Sequence, residues 1–244
     1  MTSRILTVMT YNVHSCIGSD RRLDPGRIAD VVAACKPDIL ALQELDVGRR
    51  RSAGIDQAEV LAARLGMRAD FHPALTMAGE DYGDAILTAL PMKRRKAAAL
   101  PAFGEPRGAL WVEILVKDRP LQVFNTHFGL NARERRIQAD TLMGEGWIGH
   151  PSCRDKPVLL MGDFNAIPGS AAYRRIAGGL SDLRKIERKR TRPTFPSRLP
   201  LLRLDHIFYG QGVKPLSLAT LRCPLARLAS DHLPLLGRIG LDDA

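Results

Sequence analysis

A chain of 244 residues with 45% hydrophobic but only 5% aromatic side chains can bury an aliphatic core, and its apolar runs fall far short of the ~18 residues that suggest a membrane span. Its four cysteines, Cys16, Cys35, Cys153 and Cys223, form no C-x-x-C pair, which argues against a zinc site and a disulfide framework. The formal net charge of +10 favours anionic partners, and the N-terminus reads directly into a strand without a leader pattern, so a cytoplasmic protein is expected.

The first predicted strand, ILTVMTYNVH at 5–14, ends in Asn12-x-His14. An amphipathic helix follows from Pro25 to Cys35, with Asp24 as N-cap and proline at the first helical position. DILALQELD (38–46) is a strand ending in Gln43-Glu44, and apolar β-rich runs at 84–91 and 108–116 supply further strands. The same grammar then recurs. LQVFNTHF (121–128) ends in Asn125-x-His127, a helix capped by Asn131 runs from about Ala132 to Trp147, and PVLLMGDFN ends in Asp163-Phe164-Asn165. Strands at 203–210, 216–223 and 232–240 follow. Segments 49–57, 76–83, 101–107 and 166–200 read as loops, the last with a short helix near 170–178, and the cationic stretches 49–51, 93–96 and 184–192 read as solvated loops. No boundary has a linker composition, so residues 1–244 are expected to form one α/β domain of two packed sheets with helices on their outer faces.

Polar residues gather at the C-terminal ends of these strands: Asn12 and His14, Glu44, Tyr82 with Asp84, Arg107, Asn125 and His127, Asp163 and Asn165, Asp205 and His206, Asp231 and His232. Two related units packed about a pseudo-twofold would bring both sets to one edge. Hydrolysis of a phosphate ester requires a neutralised anion, an activated water and a stabilised leaving oxygen. A hard divalent cation such as Mg²⁺ does most of this and prefers carboxylates, amide oxygens and waters. Glu44 and Asp231 are the obvious carboxylates, with Asn12 beside them.

In order and spacing, TYNVH, LQE, YGDAIL, RGAL, NTHF, GDFN, TFP, LDHIF and SDHLP resemble the endonuclease/exonuclease/phosphatase superfamily over Thr7 to about Leu235. The resemblance implies a deoxyribonuclease-like fold, a four-layered α/β/β/α sandwich of two packed mixed sheets, and a metal-dependent phosphoesterase acting most readily on phosphodiesters. It implies Mg²⁺, with Mn²⁺ as substitute, held by Glu44, Asn12 and Asp231. Asp163 matches the residue that orients or deprotonates water, and Asn165 its partner on phosphate. His232 matches the histidine on the scissile phosphate, Asp205 the carboxylate that orients it, and His127 a second phosphate-side histidine. Tyr82 and Arg107 are expected to contact substrate. Asp84 departs from the family's usual YGNA, and His14 stands where many nucleases carry an acidic residue. Nucleic acid, anionic phospholipid headgroups and small-molecule phosphoesters are competing substrates, with the 184–192 stretch the expected selector. A non-catalytic phosphate-binding scaffold is the alternative of another class; it need not keep base, dyad and metal carboxylate together.

Overall fold

β1 (Ile5–Asn12) and β2 (Ile39–Val47) lie parallel, joined by the crossover helix α1 (Pro25–Ala33). Later in the chain β7 (Arg119–His127) and β8 (Val158–Asp163) repeat the arrangement around α3 (Ala132–Leu142). The computed structural model describes residues 5–186 and 193–241, so most of the cationic stretch 184–192, positions 187–192, lies outside the described residues. Each parallel pair is the centre of a six-stranded mixed sheet. The first also holds β3 (Arg68–Met77), β4 (Glu80–Thr88), β11 (Val213–Thr220) and β12 (Leu235–Leu241), in the order β11-β12-β1-β2-β4-β3. The second adds β5 (Met92–Leu100), β6 (Arg107–Val116), β9 (Ser181–Asp182) and β10 (Asp205–Tyr209), in the order β5-β6-β7-β8-β10-β9.

Alternation along the strands builds the layers. In β1, Leu6 and Val8 enter the core between the sheets, while Met9 and Tyr11 face α1, α2 (Gln57–Leu65) and α5 (Pro224–Ala229). In β7 and β8, Leu121, Val123, Leu159 and Met161 fill the same core, while Phe124 and Leu160 face α3 and α4 (Ala171–Ala177). The result is the expected four-layered α/β/β/α sandwich. Toward the C-terminal ends of the parallel strands the inward positions turn polar. Thr10 and Asn12 follow Val8, Asn125 and His127 follow Val123, and Asp163 follows Met161. The space between the sheets is therefore apolar over most of its depth and polar at one end.

Several local expectations are corrected. Segment 76–83 is part of the β3–β4 hairpin, turning at Ala78 and Gly79. The cationic 93–96 stretch belongs to β5, an edge strand, where charge discourages further pairing. Arg51 in the 49–51 stretch is ion-paired with buried Asp46 at 2.7 Å. Segment 49–57 runs into α2, which Asp56 caps by accepting from Glu59 N–H and Gly66 ends in a left-handed turn. α3 stops at Leu142 because Gly144, Gly146 and Gly149 follow. The strand expected at 216–223 spans Val213–Thr220 and is followed by α5, and the strand expected from His232 begins at Leu235. No helix among the described residues is long and apolar enough to cross a membrane.

Candidate active site

The polar end of the inter-sheet space opens into a cleft of about 760 Å³. On its first-sheet side a bulge sets the geometry. Leu42 of β2 opposes Ala85 and Leu45 opposes Gly83, so two residues, Gln43 and Glu44, share the single position Asp84. Gln43 keeps the inward direction and donates to Asn125 Oδ1 at 2.7 Å, tying the sheets together beneath the cleft. Glu44 takes a left-handed conformation with φ of 62°, which costs a non-glycine residue about 1–2 kcal/mol. Its side chain lines the cleft, and its N–H is bound by the Asp84 carboxyl.

On the second-sheet side the GDFN stretch supplies the floor. A Cβ on Gly162 would lie 2.0 Å from Thr126 O, so only glycine permits the approach of β7 and β8 that pairs Asp163 with His127. Asn165 adopts φ of 46°, and its N–H donates to Asp163 Oδ1 at 2.9 Å, an Asx-type turn. Its amide nitrogen donates to Phe128 O at 2.8 Å and lies 3.2 Å from His127 Nε2. Asn12, from the other sheet, donates to Asp163 Oδ2 at 3.1 Å and to Glu44 Oε1 at 2.8 Å. The Asn12 amide oxygen accepts from His14 N–H, so the face it turns to the cleft is a donor between two carboxylates.

His232 approaches from the turn before β12. Ser230 Oγ accepts from His232 N–H and donates to Asn12 O, and the Phe195 ring stands 4.8 Å from the imidazole. His232 Nδ1 donates to Asp205 Oδ2 at 2.9 Å, and Nε2 lies 3.6 Å from Asp163 Oδ2. Burial alone would push the imidazole pKa down, but the charges of Asp205 and Asp163 outweigh it and hold it up at about 10. Burial, with repulsion from Asp205, pushes the Asp163 carboxyl up to about 6 against the pull of His232 and two hydrogen bonds. His127 is driven the other way, well below its usual range, by burial and by Arg107 and His232. One histidine is thus a cation and the other neutral. Arg107, buried and paired with Glu105, stands 3.4 Å from His127 Nδ1 and with Tyr82 lines the cleft.

Asp163, Asp205 and His232 bring ligand atoms within 4.8 Å of one another and form a candidate metal-binding group. Use of the imidazole as a ligand through Nε2 would displace the proton on that nitrogen and leave Nδ1–H on Asp205. Glu44 lies on the other side of the Asn12 amide from Asp163, and half-buried Asp231 also faces the cleft. Asp205 Oδ1 is buried without a hydrogen-bond partner. A surplus of carboxylate oxygen around a buried acid with a raised pKa suits a hard divalent cation.

Glu44, Tyr82, Arg107, His127, Asp163, Asn165, Asp231 and His232 all line this one cleft, and Asn12 and Asp205 are buried directly behind it. His206 stands apart, its Nε2 on Ala166 O and its ring against Phe164 and Tyr173, as a structural histidine. Sequence reasoning passed over Ser230, Ser197 and Glu105. Ser197 donates from Oγ to Ser230 O and from its N–H to Asp231 O, so TFPS buttresses SDH. No short-range pattern announces a serine whose partner is more than thirty residues away.

Comparison with known proteins agrees with this architecture. The model of the Endonuclease/Exonuclease/phosphatase family matches residues 9–232. The uncharacterized protein YbhP of Escherichia coli (strain K12) is 28% identical over 248 residues, covering 96% of each chain. An endonuclease/exonuclease/phosphatase structure from Beutenbergia cavernae superposes with a TM-score of 0.79 at 22% identity, covering 99% of this chain and 72% of that one. The human Nocturnin catalytic domain, solved with a bound sulfate anion, superposes with a TM-score of 0.78 at 23% identity, covering 98% and 94%.

Proposed function

The chain belongs to the endonuclease/exonuclease/phosphatase family, whose metal-dependent phosphoesterase chemistry its cleft supports, and on that premise we propose that it hydrolyses phosphodiesters with Asp163 as base and His232 as cation. The observation that carries the reading is the buried relay Asp205–His232–Asp163, at 2.9 and 3.6 Å, on the floor of an open cleft. A scaffold would have no use for a buried imidazolium between two carboxylates.

Asp163, with its second oxygen steadied by Asn12, orients a water toward phosphorus and takes its proton as the P–O bond to the leaving group breaks. His232, held cationic by Asp205, offers Nε2–H to a phosphoryl oxygen as charge develops there. Asn165 and His127 contact the phosphate from the β7–β8 side, with Arg107 beside His127 on β6 and Tyr82 on β4 of the other sheet. Glu44 and Asp231 would hold Mg²⁺ or Mn²⁺, with Asn12 fixing the Glu44 carboxylate rather than ligating through its turned-away oxygen. When bound, the cation supplies positive charge to neutralise the substrate and its leaving oxygen. The test is turnover of bis(p-nitrophenyl) phosphate by purified protein with Mg²⁺ or Mn²⁺, beside an Asp163→Asn control. Equal rates for the two proteins would overturn the proposal.

A further inference from the structure

We infer that the mouth of the cleft docks on an anionic lipid bilayer, so that the phosphoester it receives is a lipid headgroup. The inference rests on the phosphoesterase reading of the cleft and adds the source of its substrate. Ten large apolar side chains are exposed among the described residues, and six of them, Phe103, Leu130, Ile167, Leu199, Leu201 and Leu202, sit on loops at the end of the sandwich where the cleft opens. Strand register fixes their common position. Leu130 follows the end of β7, Ile167 follows the end of β8, Phe103 precedes the start of β6, and Leu199 to Leu202 precede the start of β10, where Asp205 pairs with Asp163. Ile5 and Leu115 are at the opposite end.

These side chains are far out in solvent, Leu130 at 77% exposed, Leu199 and Leu201 at 68% and Phe103 at 62%, and singly each would be unremarkable. Concentrated around one opening they form an interaction surface. Arginines stand among them. The Arg133 guanidinium lies 5.9 Å from the Phe103 ring centroid, Arg135 donates to the Leu130 carbonyl, and exposed Arg198, beside Leu199, donates to Ser19 O. Aliphatic prongs flanked by cations match the boundary between acyl chains and anionic headgroups, where apolar insertion and charge attraction add. A nucleic acid would leave the leucines without an apolar phase. Its bases stack on aromatic faces, and among the six prongs only Phe103 offers one.

The test is sedimentation of parent and Leu199→Ser/Leu201→Ser proteins with vesicles of phosphatidylglycerol and phosphatidylcholine, and with phosphatidylcholine alone. Bis(p-nitrophenyl) phosphate turnover is read on the same preparations. The parent should bind the anionic vesicles in preference to the neutral ones, and the variant at least ~10-fold more weakly, with turnover of the small diester unchanged. Parent protein that stays in the supernatant, or a variant that binds as the parent does, would overturn docking. So would binding of a single-stranded oligonucleotide, or self-association, that the same two serines abolish while vesicles are ignored. Vesicle binding as expected from a protein that never hydrolyses the diester would support docking and overturn the phosphoesterase reading alone.

Discussion

Asp205 accepts a 2.9 Å hydrogen bond from His232 Nδ1 across 27 residues of chain, and neither side chain is more than marginally exposed. The charge of Asp205 acts with that of Asp163 to keep the imidazole protonated up to about pH 10 despite its burial. Asp205→Asn keeps the shape and removes that charge. The imidazole pKa should then fall, so the alkaline limb of kcat/KM for bis(p-nitrophenyl) phosphate should move to lower pH, and the acid limb should fall too as Asp163 is relieved of repulsion from Asp205. An unmoved alkaline limb would mean that His232 is not the group whose proton the reaction needs.

Asp163→Asn and His232→Ala should each reduce turnover at least ~100-fold with the circular dichroism spectrum retained, since a positioned base and a preorganised charge are each worth roughly 10²–10⁴. A folded variant of either kind with near-parental rates would refute its assigned role.

Chelation should remove activity, and Mg²⁺ or Mn²⁺ should restore it. A cation that binds the native state alone also raises the melting temperature with concentration. That rise should be lost in Glu44→Gln whether or not the variant turns over substrate. A rise of equal size in parent and variant would place the cation elsewhere.

Asp84→Asn tests the carboxyl behind the bulge. Burial pushes the Asp84 pKa up to about 8, against the pull of Arg107 and the Glu44 N–H. The folded state therefore holds this proton more tightly than the unfolded chain, where an aspartate titrates near ~3.9. The contribution of this group to stability is complete below the unfolded pKa and is lost as pH rises through about 8. Asparagine has no such loss, so the melting temperature of the variant relative to parent should climb between pH 5 and pH 9. A constant difference across that range would show that Asp84 does not titrate on its own account.

The two sheets, the crossover helices and most of the cleft were legible because they depend on local regularities. The polar endings of apolar strand runs singled out Asn125, His127 and Asp163, and Asp24 and Asn131 announced their helices as caps. What escaped depends on distant partners. Residue types around Gln43 and Glu44 do not reveal a bulge, because the extra residue is defined by β4 opposite. β5 was hidden by its charge, which is tolerable because nothing among the described residues pairs on its outer side. The direction of the Asn12 amide, set by a backbone N–H two residues on, is likewise not given by residue type.

The contact of Asn12 with Asp163 spans 151 residues, and β1 is flanked in its sheet by β12, the last strand of the described chain. Asp231 and His232 therefore reach the cleft only after Glu44 and Asp163 have been synthesised. A chain still emerging from the ribosome carries Glu44 and Asp163 but neither the imidazolium nor the strand that seats β1. Hydrolytic competence is thus deferred until β12 has joined β1, and a fragment that ends before Ser230 is expected to be catalytically silent however well its earlier layers have formed.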